Sequence, residues 1–243
     1  MVNDESNSWG RAQADSYIKI ADLVVVERKR LFKIFADIFR YHFDNTENLV
    51  LLDLGCGDGV LSKHIASKYP KNEFHLIDGS TAMLEKAKRN ISGAKTHHRH
   101  QSFEEYIASP PNYKRYDFVY SANAIHHLDF QGKSEIYAKI FRELKFNGLF
   151  LNSDPVLANS ERSEQLQFNM WRDWMKEHLQ KNGIREDTAK IDGIPTDYKR
   201  KSENKPSNLT DQLQLLTNIG YRDVDCFYKY GIFALFGGTK QKP

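Results

Sequence analysis

Cysteine is scarce in this chain of 243 residues, and Cys56 and Cys226 stand far apart and form no Cys-x-x-Cys motif. Two such residues exclude a disulfide framework and a cysteine-based zinc module. Long apolar runs are also missing, since none approaches the roughly 18 residues that a membrane span requires, and no apolar segment follows a basic start. Neither sign of charge prevails, with 35 Lys and Arg against 32 Asp and Glu. We therefore expect a cytoplasmic protein, with neither a membrane nor a nucleic acid as its partner.

The composition is sufficient for one well-packed core. With 40% hydrophobic residues, a chain of this length can bury a single α/β core and a helical cap. Apolar residues near the N-terminus recur at helical spacing, and strand-like alternation is missing from a long segment after the middle of the chain. We predict a single domain over 1–243, made of a helical cover over 1–45, a core over 46–154, a helical insertion over 155–208, and a final helix with two strands over 209–243.

A glycine-rich turn stands between a predicted strand and a predicted helix. The apolar run from Leu49 to Leu52 precedes it, and the turn reads D-L-G-C-G-D-G from Asp53 to Gly59. Strand, glycine turn and helix in this order open a nucleotide-binding α/β domain. The dinucleotide motif G-x-G-x-x-G places its third glycine one residue later and binds a pyrophosphate. Because Asp53 and Asp58 would repel a pyrophosphate, the turn favours a ligand with a cationic head and no phosphate.

The second predicted strand also ends in an acid. It covers Phe74 to Ile77, and Asp78 follows it, 25 positions after Asp53. An acid at this strand end accepts hydrogen bonds from ribose hydroxyls in dinucleotide folds. The alternative role for Asp78 is to cap the helix that begins near Thr81, which Ser80 can do equally well.

Five segments between Val50 and Asp154 together resemble the class I S-adenosylmethionine-dependent methyltransferases, whose first motif is D/E-x-G-x-G-x-G. The stretch from Asn204 to Gly238 resembles a group of small bacterial methyltransferases of mostly unassigned acceptor. The resemblance implies a Rossmann-like α/β fold with a seven-stranded, mostly parallel sheet, an antiparallel last strand and helices on both faces. It also implies S-adenosyl-L-methionine as cofactor and S-adenosyl-L-homocysteine as product.

The same resemblance assigns cofactor contacts. Asp78 would bind the ribose, Met83 and Phe103 would lie near adenine, and Ser102 or Gln101 would stand where an adenine-binding Asp is common. Tyr17 and Arg28, in the predicted N-terminal helices, can reach the cofactor carboxylate or the acceptor. The predicted cofactor-binding residues are Tyr17, Arg28, Asp53, Gly55, Cys56, Gly57, Asp78, Gly79, Ser80, Met83, Ser102, Phe103, Ser121 and Ala122.

The loop from Ser121 to His127 would lie beneath the sulfonium. It begins Ser-Ala-Asn-Ala, whereas amino-directed family members often carry Asn/Asp-Pro-Pro-aromatic there, so the resemblance implies the small-molecule branch. Trp171 and Trp174 of the predicted insertion are candidate contacts for the acceptor, and the alternative is that they anchor the insertion onto the sheet. The predicted substrate contacts are Asn123, His126, Asp154, Trp171, Trp174 and Tyr198.

Methyl transfer from a sulfonium requires in-line placement of the acceptor and exclusion of water. A neutral acceptor must also lose a proton, which a histidine of near-neutral pKa can take. We predict His126 and His127 as catalytic residues, as a general base or as walls of the acceptor pocket, with purely structural roles left open. Asp154 is a second candidate base. The other histidines of the predicted sheet, His75, His97, His98 and His100, show no metal-ligand spacing, and no metal is predicted.

The leading hypothesis is therefore transfer of a methyl group to a small-molecule acceptor. The alternatives are an RNA or protein methyltransferase, and a non-catalytic protein that binds S-adenosylmethionine or a derivative. A carboxylated derivative would need a positive group near the sulfonium, for which the sequence offers Arg28. An NAD-dependent oxidoreductase is disfavoured by the displaced third glycine. Neither the acceptor nor the oligomeric state follows from the sequence.

Overall fold

The computed structural model describes residues 11–113, 115–184 and 188–242. Two helices precede the sheet, and the core then alternates strands and helices up to the fifth strand. The elements in chain order are α1 (Arg11–Val24), α2 (Arg28–His42), β1 (Val50–Leu54), α3 (Val60–Lys68), β2 (Glu73–Asp78), α4 (Thr81–Asn90), β3 (Lys95–His100), α5 (Phe103–Ala108), β4 (Tyr116–Ala122), α6 (Phe130–Glu143), β5 (Leu144–Pro155), α7 (Glu161–Lys181), α8 (Thr188–Arg200), α9 (Leu209–Ile219), β6 (Arg222–Tyr230) and β7 (Phe233–Lys240).

The seven strands form one sheet in the order β3-β2-β1-β4-β5-β7-β6. Strands β1 to β5 pair in parallel, and β7 runs antiparallel to both β5 and β6. The strand order reverses beside β1, and ligands of doubly wound sheets bind at the carboxyl ends of the strands at such a point. The predicted fold class is confirmed, and it places the ends of β1, β2 and β4 next to one another.

Helices cover both faces of the sheet because the central strands are apolar on both sides. Leu51 of β1 joins a cluster with α2, α3, α4 and α7, whereas its neighbour Leu52 joins a cluster with α5, α6 and α9. Phe118 and Val119 of β4 divide in the same way. The described part of the chain contains no helix long and apolar enough to span a bilayer.

No separate turn joins α6 to β5. The strand begins directly after the helix, and Asn147 within it adopts the left-handed conformation with φ 62°. Gly148 is needed for space, since a Cβ atom there would lie 2.8 Å from the carbonyl oxygen of Lys145.

A segment after α8 crosses back over the carboxyl end of the sheet. We call residues 203–208 the strap. Its Lys205 N–H donates to the carbonyl of His126 over 2.8 Å. The fully buried Lys133 ammonium donates to the carbonyl of Lys205 over 2.5 Å and to that of Leu128. The strap is therefore fastened to the loop that follows β4.

Candidate active site

A cavity of about 340 Å³ opens at the carboxyl ends of β1, β2 and β4. The glycine turn and the first turns of α4 and α5 form its walls, with residues 122–124 opposite and Arg28 and Phe32 of α2 above. Glu203 and Lys205 of the strap close one side. The fold thus assembles this site from segments that are distant in the sequence.

The glycines of the turn serve different purposes. Gly55 and Gly57 both have positive φ, 69° and 55°, which side chains rarely tolerate. A Cβ atom on Gly55 would lie 2.4 Å from that of Ala124, whereas one on Gly57 would meet nothing within 4 Å. Gly55 therefore allows close packing, and Gly57 leaves open space where a ligand can approach the backbone.

Asp78 joins the glycine turn to the start of α4. Its Oδ2 accepts from the N–H of Gly57 and its Oδ1 from that of Ser80, each over 2.8 Å. Burial raises the pKa of Asp78. The hydroxyl of Ser80 caps α4 by accepting from the N–H of Met83, so the capping role belongs to Ser80. Each carboxylate oxygen of Asp78 retains a lone pair for a hydroxyl of a ligand.

Asp53 also lines the cavity, and a hydrogen bond from a buried serine holds its carboxylate in place. The hydroxyl of Ser62 donates to it over 2.6 Å and lies 2.5 Å from the hydroxyl of Tyr120. Complete burial raises the pKa of Asp53 to about 7, and the charge of Asp78 contributes in the same direction.

At the end of the cavity where adenine is expected, the contacts favour Gln101 over Ser102 as the residue that binds the base. Ser102 lines the cavity, but its hydroxyl accepts from the N–H of Glu105 in a capping box that starts α5. Gln101 lines the same cavity, and its buried Oε1 has no hydrogen-bond partner among the described residues. A buried acceptor without a partner is costly, and an exocyclic amino group of a base would satisfy it.

Most of the other predicted cofactor residues reach the cavity. Arg28 lines it, pairs with Asp22 at 2.8 Å and lies over the ring of Phe32. The side chain of Tyr17 lies outside the described residues. The remaining predicted residues that line the cavity are Cys56, Gly79, Met83, Phe103, Ala122, Asn123 and His127.

Ser121, Trp171 and Trp174 are among the predicted contacts that do not line this cavity. Ser121 is fully buried and its hydroxyl donates to the carbonyl of Leu54, because alternation along β4 turns it away from the cavity. Trp171 donates its indole N–H to the carbonyl of Val24 and packs in the core, and Trp174 stacks on His178. Neither tryptophan lines either of the two cavities described. The tryptophans therefore follow the alternative interpretation and anchor the insertion.

The two predicted catalytic histidines have different surroundings. His126 does not line the cavity, and its Nδ1 lies 2.8 Å from Oδ1 of Asp154, which is also buried. Asp154 further accepts from the N–H of Ala124 and from the side chain of Asn152. His127 does line the cavity. Its Nδ1 lies 2.9 Å from the carbonyl of Glu203, so that nitrogen carries the proton.

Burial lowers the pKa of His127 to about 4, and the neighbouring His126 adds to the effect. The ring of His127 is therefore neutral at neutral pH. His126 instead lies beside the buried carboxylate of Asp154. Two adjacent residues of similar appearance in the sequence thus have different surroundings.

A second cavity of about 210 Å³ lies on the other side of the strap. Tyr198 lines it, and its buried hydroxyl has no partner within the described part of the chain. Lys205 lines both cavities. The sequence reading missed Lys205 and Lys133. A signal for Lys133 was available, since it occupies the first position of the apolar stripe that continues through Ile136 and Ile140.

The fold, with a glycine turn and two acids at the ends of β1 and β2, is the arrangement that the resemblance predicts. A family model described as methyltransferase domain matches residues 51–148. This part of the chain is therefore a methyltransferase domain, for which S-adenosylmethionine is the cofactor.

The curated relatives differ in how much of the chain they match. A carboxy-S-adenosyl-L-methionine synthase of Nautilia profundicola is 22% identical over 76% of this chain and 75% of its own length. A malonyl-[acyl-carrier protein] O-methyltransferase of Halalkalibacterium halodurans is 32% identical over 44% of this chain, which spans only 39% of that protein. Human N-acetylserotonin methyltransferase in complex with S-adenosylmethionine matches 96% of this chain with a TM-score of 0.58 and 17% identity, and 57% of its own chain is covered. This structural likeness shows the fold alone.

Proposed function

We propose that this chain transfers a methyl group from S-adenosylmethionine to a small-molecule acceptor. The observation that carries the proposal is the cavity, which Asp78 and the open face of Gly57 line at one end and His127 and the strap at the other. The methyltransferase domain supports the cofactor, and the cavity geometry supports a small acceptor.

The cavity residues fit the cofactor. Asp78 offers a carboxylate to the ribose, Gln101 offers a buried acceptor to the adenine amino group, and Gly57 leaves room at the backbone. When bound, S-adenosylmethionine supplies a methyl group on a positive sulfur that becomes a neutral thioether on transfer. Because this charge disperses, the chain has to orient the acceptor and exclude water.

We propose that His127 contacts the acceptor and that His126, whose ring packs 4.1 Å from that of His127, positions it. The carboxylate of Asp154 in turn fixes the orientation of His126, since its Oδ1 lies 2.8 Å from Nδ1. His127 faces the cavity, but its pKa of about 4 makes it a weak base at neutral pH. Asp154 is thus a positioning residue, and this replaces its expected role as a substrate contact.

The cover of the cavity favours a small acceptor over a polymer. Residues of α2 and of the strap line the cavity, and the nearly balanced charge of the chain gives no indication of an RNA-binding surface. Tyr198 and Lys205 line the second cavity beside the strap, and we propose that the acceptor enters there.

The test is formation of S-adenosylhomocysteine from S-adenosylmethionine in the presence of size-fractionated cell extract. Product that depends on the low-mass fraction, and that survives nuclease and protease treatment of that fraction, supports the proposal. Product that depends on the high-mass fraction and is abolished by nuclease would instead identify RNA as the acceptor. Gly57→Val is the matched inactive control.

A second candidate is a role with a carboxylated derivative of S-adenosylmethionine. It is favoured by two cations, Arg28 and Lys205, in the wall of the cofactor cavity, together with the similarity to a carboxy-S-adenosyl-L-methionine synthase over three quarters of the chain. Mass spectrometry of the nucleoside released from purified protein distinguishes the two, because the derivative carries one additional carboxylate. Tighter binding of the derivative than of S-adenosylmethionine, reversed in Lys205→Met, would favour this candidate.

A further inference from the structure

A cluster of metal-ligating side chains lies at the opposite end of the sheet from the cofactor cavity. Glu73 and His75 belong to the start of β2, and His97 belongs to β3. The cavity lies at the other end of the same strand, where Asp78 is the last residue. The cluster is therefore separate from the methyltransferase site.

The parallel register of β2 and β3 brings the three side chains together. Glu73 and His75 are two residues apart and share one face of the sheet, and His97 is the direct partner of His75. Oε1 of Glu73 lies 2.7 Å from Nε2 of His75 and 3.3 Å from Nε2 of His97. One ligand atom from each of the three residues lies within 4.8 Å of the others. The two imidazole rings stack 4.7 Å apart.

Nε2 of His75 lies between a carboxylate and a cation. It is 2.7 Å from Oε1 of Glu73 and 3.0 Å from a guanidinium nitrogen of Arg115, and that nitrogen lies 3.0 Å from the same Oε1. The guanidinium group therefore stands where the ligand atoms of Glu73 and His75 converge. A metal ion at this point would accept a lone pair from each of these two residues.

We propose that Glu73, His75 and His97 form a binding site for a divalent transition-metal ion of the Zn²⁺ type. Two imidazoles and one carboxylate are a ligand set that Zn²⁺ prefers, with a further position open to water. Lys95 pairs with Oε2 of Glu73 at 2.7 Å, which leaves Oε1 to the metal. The guanidinium of Arg115 occupies the position that the metal ion would take. The side chain of Arg115 is 44% exposed, so it can move into solvent when a metal binds.

The site would join the edge strand β3 to β2. In the sheet order β3 has a single neighbour, and its residues are mostly exposed. A metal that binds the folded chain and not the unfolded chain raises the melting temperature, and above Kd the stabilisation grows with the logarithm of the metal concentration. The expected role of the ion is therefore structural.

The experiment is isothermal titration of Zn²⁺ into the full chain without an affinity tag, paired with thermal melts. We expect one ion per chain and a higher melting temperature in excess Zn²⁺. His97→Ala and Glu73→Gln should each weaken binding at least tenfold. His98→Ala is the matched control, because His98 neighbours His97 on the opposite face of β3, and it should bind like the wild type. Arg115→Gln should bind more tightly, since it removes the competing cation.

The proposal is overturned if the wild type takes up no Zn²⁺ at millimolar concentration, or if His97→Ala binds as well as His98→Ala does. His97 is half exposed, so its replacement should leave the fold intact even where Glu73→Gln fails to fold. Weaker binding in Arg115→Gln would also count against it, because the guanidinium would then be supporting the site.

Discussion

Replacing Asp78 by Asn is the most direct test of the cofactor site. Both carboxylate oxygens accept backbone hydrogen bonds, from Gly57 and from Ser80. An amide can accept on one side only, so its NH₂ group must face one of these N–H donors. Leaving one buried donor unsatisfied costs about 1 to 3 kcal/mol, and this cost falls on the conformation of the turn.

The ribose contact adds a separate loss in binding. A charge-assisted hydrogen bond contributes about 1.5 to 3 kcal/mol, and each 1.4 kcal/mol corresponds to about a tenfold change in Kd. We therefore expect Asp78→Asn to bind S-adenosylmethionine about tenfold to a hundredfold more weakly, measured by calorimetry. A urea melt of the variant reports the cost to the turn independently.

Asp58→Asn is the matched control, because it removes the same charge from the same cavity wall. Loss of a partly exposed charge changes binding by about 0.2 to 1 kcal/mol, so we expect less than about a fivefold effect. Equal weakening in both variants would show that general charge, and not the ribose contact, governs binding. A folded Asp78→Asn with wild-type affinity would refute the ribose assignment altogether.

Gly57→Val should abolish S-adenosylmethionine binding in calorimetry, because the added side chain enters the open cavity. Its melting temperature should fall only by the amount that corresponds to the backbone strain of a valine at positive φ. His126→Ala and Asp154→Asn should each lower kcat by up to about 10²-fold with Kd for the cofactor unchanged, as expected when a residue of the acceptor site loses its orientation. Asp53 has a pKa raised from 3.8 to about 7, so the folded chain holds a proton that the unfolded chain has released between these values. The free energy of unfolding should therefore fall as pH rises from about 4 to 7, by up to about 4 kcal/mol, and this slope should flatten in urea melts of Asp53→Asn. Lys133→Met leaves two carbonyls without their donor and should lower the unfolding free energy by about 1 to 3 kcal/mol.

Three controls make these outcomes decisive. Gly57→Ala should weaken binding less than the valine variant if added volume is the cause. His178→Ala changes a histidine that stacks on Trp174 away from both cavities, and its kcat should equal that of the wild type. An unchanged pH slope in Asp53→Asn would assign that dependence to other groups.

The glycine turn and the acids after β1 and β2 were accessible from the sequence because they depend on local spacing. Asp53, Gly57 and Asp78 each follow a strand whose apolar character is readable from consecutive residues. The parallel order of the strands then brings their ends together without further information. The fold class and the glycine and acid wall of the cavity follow from the same signals.

Other features depend on which face a side chain occupies or on distant pairing. Ser121 is one residue from the cavity, yet alternation along β4 turns it to the opposite side. Trp171 fits an acceptor contact and a core anchor equally well by spacing, and only its bond to Val24 decides between them. His75 and His97 are 22 positions apart, and only the register of β2 with β3 makes them neighbours.

The strap is held in place mainly by bonds that involve main-chain atoms. The amide of Lys205 and the carbonyls of Glu203 and Lys205 make these contacts, to residues that follow β4 or to Lys133. Asn204 adds one side-chain bond, to the carbonyl of Tyr198, so most side chains of the strap do not determine where it lies. Under the proposed function, substitutions at those positions would change the acceptor while the strap keeps its path, and related proteins would differ in acceptor preference there.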